Sequence, residues 1–215
     1  MTRVRVDLNI SLDGFAAGVP TPDHPMGEGW DRLTAAYVAT RTFRARVLGL
    51  TDGSGTTGVD DRYGASYFGG IGAEVMGAGM FGLHYHPDDP DWRGWWGETP
   101  PFGCPVLVLT GTAPRPPLVM AGGTTFHFRS APLPEVLAEA RALAGGADVR
   151  IGGGVSTARD ALRAGFVDDL HVGIAPVLLG AGVRLWDGVA RLEDTHDVHS
   201  EVAESGTVHL TFRRR

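Results

Sequence analysis

The segment VRIGGGVSTARDAL, residues 149–162, limits the possible folds more than any other stretch of the chain. Residues 149–151 alternate in a way that suits a buried strand, and three glycines follow before Ser156 and Thr157 lead into a helix over 155–164, with Gly165 placed to cap it in the left-handed region. Glycines at a strand end remove the Cβ atoms that would keep a phosphate off the backbone. A helix start offers unpaired N–H groups and the positive end of its dipole. The pattern is that of an anion-binding turn. Its alternative is a tight strand-to-helix turn with Ser156 as N-cap. It is not G-x-G-x-x-G in register, and no acidic residue stands where a ribose-binding carboxylate belongs.

The same alternation runs through the chain. Residues 4–10 place Val4, Val6, Leu8 and Ile10 on one face of a strand, and Asp13-Gly14 marks a turn. Residues 18–29 read as a loop and 30–47 as a helix with Leu33, Tyr37 and Phe43 inward. Residues 49–58 read as a surface insertion, and a short helix opens at Asp60 and Asp61 and runs to Phe68. Residues 73–77, 105–110, 125–128, 170–179 and 207–212 read as strands, and Leu133, Val136, Leu137, Ala140 and Leu143 form one stripe of a helix over 133–143. Strands alternating with helices over 215 residues predict one α/β domain, residues 1–215, built on a mostly parallel sheet.

Composition removes several classes of function. The net charge is −6, which argues against nucleic acid as a partner, and the one basic run, Arg213 to Arg215, reads as a solvated tail. There is no lysine, so neither a P-loop nor Schiff-base chemistry is available. Cys104 is the only cysteine, which suits a reducing compartment. No apolar leader or membrane-length run is present, so the expected location is cytoplasmic.

Several further residues are candidates for chemistry. VMGAGMFG, residues 75–82, is a second glycine-rich strand end, and two such ends on one sheet suit a dinucleotide. Asn9, the only asparagine, offers a donor and an acceptor to a flat heteroaromatic ligand or else caps a turn, and Asp13 reads as a turn residue. His84-x-His86 with Asp88 and Asp89 lacks a third strong ligand at diagnostic spacing, so no metal is expected. The loop holding Trp92, Trp95 and Trp96 reads as a wall over an aromatic ligand or as a dimer contact. Residues 154–158 also form a degenerate nucleophile elbow around Ser156, with Asp168, Asp187, His196 and His199 following in the order a serine hydrolase needs.

Taken together, the segments at 6–18, 73–82, 94–102, 105–110, 122–128, 149–188 and 208–213 resemble the dihydrofolate-reductase-like superfamily. The nearer group in it is the reductase domain of the bifunctional riboflavin-pathway enzymes and its stand-alone relatives. The resemblance implies a three-layer α/β fold: a central, mostly parallel twisted sheet, helices on both faces and an antiparallel C-terminal strand. It implies cofactor contacts at Gly152, Gly153, Gly154, Val155, Ser156 and Thr157, with a cis Gly152–Gly153 peptide, and at Gly77, Ala78, Gly79 and Met80. It puts Leu109 and Thr110 near the adenosine, and Asn9, Ala16 and Ala17 beside the nicotinamide and substrate. Asp31, near the start of the first helix, is its candidate acid. The implied activity is hydride transfer from NADPH to a C=N or C=O carbon of a small flat heterocycle, pteridine- or pyrimidine-like, in a homodimer. The family's arginine after the second-turn glycine is replaced by Ala78, and its basic residue after Thr110 by Gly111. NADH is therefore an alternative cofactor unless Arg115 reaches in, and a cofactor-free small-molecule binder is an alternative function. The H-x-E…C-x-x-C pattern of the zinc deaminases does not occur in these residues.

Overall fold

The computed structural model describes residues 2–21, 23–113 and 115–215. Its elements, in chain order, are β1 (Val4–Ser11), β2 (Phe15–Ala17), α1 (Trp30–Val38), α2 (Arg41–Arg46), α3 (Val59–Phe68), β3 (Ile71–Gly77), α4 (Ala78–Phe81), β4 (Pro105–Leu109), β5 (Leu118–Val119), β6 (Thr125–Arg129), α5 (Leu133–Leu143), β7 (Asp148–Gly153), α6 (Val155–Arg163), β8 (Asp169–Ala175), β9 (Val183–Arg184), β10 (His196–Val202) and β11 (Val208–Arg214). Among the described residues, nine strands form one sheet in the order β10-β11-β8-β1-β7-β3-β4-β6-β5, and β2 pairs with β9 apart from it. The strands from β8 to β6 are mutually parallel; β11 and β5 run antiparallel to them, and β10 pairs antiparallel with β11 at the outer edge. This is the three-layer architecture that the resemblance implies.

Strand alternation gives the sheet two unlike faces. Val4, Val6, Val75, Leu107, Val149, Ile151, Leu170 and Val172 point to one side and form the main core with Val136, Leu137 and Ala140 of α5 and Ala158, Ala161 and Leu162 of α6. The residues between them are polar: Arg5, Asp7, Asn9, Glu74, Arg150, His171 and His209 belong to the other face, on the side of α1 to α3. A fully buried ion pair lies there. Arg150 of β7 pairs with Glu74 of β3 and donates to the Tyr67 carbonyl of α3, and its guanidinium sits 3.6 Å from the centre of the Tyr67 ring.

Toward the β5 edge the same face becomes apolar. Met76, Phe81, Val106, Val108, Phe126 and Phe128 form a second core, against which Trp92, Trp96 and Phe102 of the long loop after α4 pack. The Trp92 indole N–H donates to the Phe81 carbonyl at 2.8 Å. These tryptophans thus cover the second core.

Several local expectations change. The helix expected over 30–47 is two helices, because Thr40 leaves helical geometry and its hydroxyl caps α2 by accepting from the Phe43 N–H. Strands β2, β5, β9 and β10 were not legible as strands. Arg213 to Arg215 are not a free tail: Arg214 is held by Asp168 and by the Gly165 and Val167 carbonyls, and Arg215 by Asp197.

Candidate active site

A cavity of about 510 Å³ opens at the carboxyl ends of β1, β7 and β8, on the polar face of the sheet. That volume lies within the roughly 300–1,000 Å³ usual for small-molecule sites. Its floor is Asp7, Leu8 and Asn9 of β1. One wall is the glycine end of β7 with the start of α6, and the opposite wall is α1 and α3, which present Trp30, Leu33, Thr34, Tyr37, Asp60 and Tyr63. His171 and His209 close the β8–β11 side, and Gly79, Met80, His84 and Tyr85 the other.

The glycine end is built for close approach. Gly152 lies against the Glu74 carboxylate, where a Cβ would overlap it. Gly153 has φ +155° and Gly154 φ +80°, and a Cβ on Gly153 would come within 2.7 Å of Met80. The Gly152–Gly153 peptide is trans, not cis; positive φ at the next two glycines carries the chain around the turn. Gly154, not Ser156, is the N-cap residue of α6, and no side chain caps that helix. The first helical backbone bond there is from the Ala158 N–H to the Gly154 carbonyl, so the N–H groups of Val155, Ser156 and Thr157 precede the hydrogen-bonded ladder. An uncapped helix start with Gly154, Val155 and Ser156 on the cavity wall fits an anionic group such as a pyrophosphate.

Of the residues singled out in the sequence, Asn9, Ala16, Ala17, Gly79, Met80, Gly152, Gly153, Gly154, Val155 and Ser156 come together around this cavity. Asn9 lies within β1, so it caps no turn, and Gly173 of the neighbouring strand lacks the Cβ that would collide with its side-chain oxygen. Gly77, Ala78, Leu109, Thr110 and Thr157 lie outside the lining. Gly77 instead packs where a Cβ would come 2.8 Å from the Thr157 hydroxyl, so the two glycine turns lock together through Thr157. Leu109 packs against the main core, and Thr110 bonds to Thr112. Asp31 is a correction. It is exposed on α1, because the helix turns Trp30, Leu33, Thr34 and Tyr37 toward the cavity and carries position 31 away from it.

The carboxylates that do reach the cavity were not singled out beforehand. His171 Nδ1 stands 3.3 Å from Asp7 Oδ1, His171 Nε2 is 2.9 Å from His209 Nδ1, and His209 Nε2 is 2.9 Å from Asp60 Oδ1. Tyr63 lies flat over both imidazoles, with ring centres 4.4 and 4.1 Å away. Burial by itself raises the Asp7 carboxyl, yet the bond from His171 and the charges of His171, Arg5 and Arg150 hold it below its ordinary value. Burial pushes the His209 imidazole below its ordinary value, against the pull of Asp60. The signal available in the sequence was strand parity: Asp7, Asn9, His171 and His209 occupy the positions between apolar ones on three strands.

Asp13 is structural. Its carboxylate accepts from the Leu179 and Gly180 N–H groups at 3.2 and 2.7 Å and from the Ser11 hydroxyl, and so ties the β1–β2 turn to the loop after β8. The Ser11 bond, opposed by desolvation and supported by the two N–H groups, lowers its carboxyl to about 2. Among the described residues no serine-hydrolase machinery forms around Ser156. Asp168 is bonded to the Val4 N–H and Arg214, and His196 to the Val167 carbonyl, both at the opposite ends of the strands. His84 and His86 lie in the turn after α4 rather than on a strand, and His86 stacks on Trp92 at 3.7 Å.

A mostly parallel sheet whose strand ends carry an uncapped helix start and a polar groove defines an α/β protein with a cavity of small-molecule size at the carboxyl ends of its strands. The chain belongs to the RibD C-terminal domain family, which it matches over residues 2–209. Three solved structures share its fold. A putative riboflavin biosynthesis protein from Shewanella sp. PV-4 is 20% identical, with a TM-score of 0.56 over 100% of this chain and 99% of that one. RibD from Acinetobacter baumannii is 15% identical, with a TM-score of 0.54 over 100% of this chain and 58% of that one. The diaminohydroxyphosphoribosylaminopyrimidine deaminase/5-amino-6-(5-phosphoribosylamino)uracil reductase from Thermotoga maritima is 15% identical, with a TM-score of 0.51 over 100% of this chain and 57% of that one. Among curated proteins, none matches the chain.

Proposed function

We propose that the chain is a nicotinamide-dinucleotide-dependent reductase of the riboflavin-pathway type, acting on a C=N or C=O carbon of a small flat heterocycle. The observation that carries this reading is the meeting of two unlike ends in one cavity: the uncapped start of α6 with Gly152 to Gly154, and the polar floor of Asp7 and Asn9. The first suits a pyrophosphate, and the second suits a ring bearing hydrogen-bonding edges. The family match and the fold of the neighbours support it.

A reduced nicotinamide dinucleotide would be held by the glycine turn at Gly152 to Gly154 and would supply hydride chemistry. The chain's own part is to seat the phosphates on the Val155 and Ser156 N–H groups, to hold the substrate ring against Asn9, and to exclude water with Trp30, Leu33 and Met80. Among the described residues the cavity lining contains no arginine. Arg115 donates to the carbonyls of His86, Pro87 and Asp89 and is held by that loop. With Ala78 and Gly111 at the adenosine end in place of basic residues, NADH is an alternative to NADPH.

That same absence favours one competing reading, a cofactor-free small-molecule binder on this scaffold. Calorimetric titration with NADH and NADPH separates the two. Saturable binding of either supports the reductase. Failure of both to bind overturns it in favour of the binder.

A further inference from the structure

The chain Asp7···His171···His209···Asp60 has two hydrogen bonds of 2.9 Å, His171 to His209 and His209 to Asp60, and a longer contact of 3.3 Å between His171 and Asp7. A hydrogen bond needs one proton. Two ionised carboxylates bring none and two neutral imidazoles bring two, so with both rings neutral one of the three contacts is lone pair against lone pair. A third proton completes all three: His171 Nδ1–H donates to Asp7, one N–H lies between the rings, and His209 Nε2–H donates to Asp60. A fourth proton would set N–H against N–H across 2.9 Å and open the His171–His209 contact. Two protons satisfy the two 2.9 Å bonds and leave a lone pair of His171 facing Asp7 at 3.3 Å; a third turns that contact into a charge-assisted one, and a fourth has no place.

Its placement makes that count useful. All four side chains line the cavity, and their side-chain exposures run from 5% to 16%, so the string is largely withdrawn from bulk water. Tyr63 of α3 covers the two rings together. Asp7 lies one residue beyond the Val6–Ile151 pair, beside Gly152 and the glycine turn, and its second oxygen is buried without a hydrogen-bond partner. A metal does not explain the cluster. Two nitrogens on a tetrahedral zinc at about 2.0–2.1 Å would stand roughly 3.4 Å apart with their lone pairs aimed at the ion rather than at each other.

We propose that Asp7, His171, His209 and Asp60 form one proton-holding site in the cavity wall, a string that takes up a third proton and gives it to the ligand being reduced. The last clause rests on the reductase reading. In that step the C=N or C=O carbon gains hydride from the reduced nicotinamide, and the π pair moves to the heteroatom and takes the string's proton. The ligand is reduced, the nicotinamide oxidised, and the string is left with two protons until water restores the third. The four groups titrate as a unit, so the midpoint belongs to the string and not to one ring. Other charged and titratable groups facing it are Arg5 at 3.9 Å from Asp7, Arg150 of β7 with its partner Glu74 of β3, Tyr37 of α1, Tyr63, Tyr67 and Arg62 of α3, and Glu201 of β10.

The test is histidine-selective 15N NMR on the free protein as a function of pH, together with binding of NAD+ and NADH. We expect His171 and His209 to report a single shared midpoint for the third proton. Asp60→Asn keeps an oxygen for His209 Nε2–H to meet but removes the charge, so it should move that midpoint to lower pH. Two independent midpoints, or no response to Asp60→Asn, overturn the proposal. NAD+ carries a positive ring that NADH lacks. Around the midpoint its affinity should rise as pH rises, by up to about tenfold per unit for one linked proton, while that of NADH changes less. His209→Asn should abolish the difference. A thermal melt of each variant identifies any loss due to unfolding, and Asp60→Asn carries the test if His209→Asn does not fold. Equal pH dependence for the two dinucleotides refutes proton delivery to the ligand. A shared midpoint without binding of either dinucleotide supports the proton-holding site and overturns the reductase reading alone.

Discussion

Arg150→Met tests how the polar face of the sheet is held beneath the site. Arg150 and Glu74 are 2% and 0% exposed at their side chains, and the guanidinium also covers Tyr67 and bonds its carbonyl. Methionine preserves most of the length and removes the charge, leaving a fully buried carboxylate against Gly152. Breaking a buried pair from one side costs about 3–5 kcal/mol, because the remaining charge is uncompensated. For a chain of this size each kcal/mol lowers Tm by about 2–4 °C, so the expected fall is about 6–20 °C. The sign with pH follows from Glu74. Burial already raises its carboxyl above the ordinary value in spite of Arg150, and without Arg150 it rises further. A group whose folded-state pKa is raised favours the folded state below its unfolded value and loses that contribution as pH rises through the window. The variant should therefore be least impaired near pH 4–5 and most impaired above neutrality. Glu74→Leu with Arg150→Met removes both charges and should recover most of the loss. Chemical denaturation across pH reads all three proteins. A loss under about 1 kcal/mol that is flat with pH, or a double variant as unstable as the single one, would refute the reasoning.

Gly154→Ala forces a side chain into φ +80°, at roughly 1–2 kcal/mol of strain, and brings a Cβ to 3.3 Å from the Gly77 nitrogen and the Thr157 hydroxyl. NADH affinity should fall with only a modest change in Tm, and unchanged affinity would remove the glycine turn from the binding site. Ala78→Arg should raise affinity for NADPH over NADH by about tenfold, the effect of one charge-assisted bond to the 2′-phosphate, and a ratio that does not move would place that phosphate elsewhere. Asp13→Asn should destabilise the protein at neutral pH. Because the Asp13 carboxyl is lowered to about 2, its contribution is present above the ordinary carboxylate range and lost as pH falls toward 2. The gap in Tm between wild type and variant should close over that interval, and a gap constant down to pH 2 would contradict the assignment.

The strand and helix pattern was legible where one short segment carried the whole signal. The helix over Leu133–Leu143 buries Val136, Leu137 and Ala140 of its stripe but leaves Leu143 exposed, and the strand that ends in the glycines meets its helix two residues after Gly153. Short edge and cross-sheet strands were not legible. β2, β5 and β9 are only two or three residues long and owe their geometry to partners distant in sequence, as when Phe15 pairs with Arg184. β10 reads HDVHSEV and exposes most of its side chains at the sheet edge, so it shows no apolar alternation. At the site, the glycine turn was visible because adjacent residues make it. The string was not, since Asp60 and His209 lie 149 positions apart and meet only when α3 folds over β11.

The choice of Asp31 as a candidate acid shows why that distinction matters. A carboxylate near the start of the first helix satisfies a motif, but helical phase assigns the cavity side to Trp30, Leu33, Thr34 and Tyr37. The groups that reach the cavity are set instead by parallel register. Asp7 stands level with His171, and Asn9 level with Gly173, which is level in turn with His209. Each step across the sheet moves one strand, about 4.8 Å, a span that imidazoles and carboxylates bridge by hydrogen bonds. Gly173 interrupts the second row, and the missing Cβ leaves space for the Asn9 amide. A side chain at position 173 would displace Asn9 from the cavity floor while leaving the string's four residues in place. Gly173→Ala is thus expected to impair ligand positioning without shifting the shared histidine midpoint, and a shift of that midpoint in this variant would show that the two rows do not act separately.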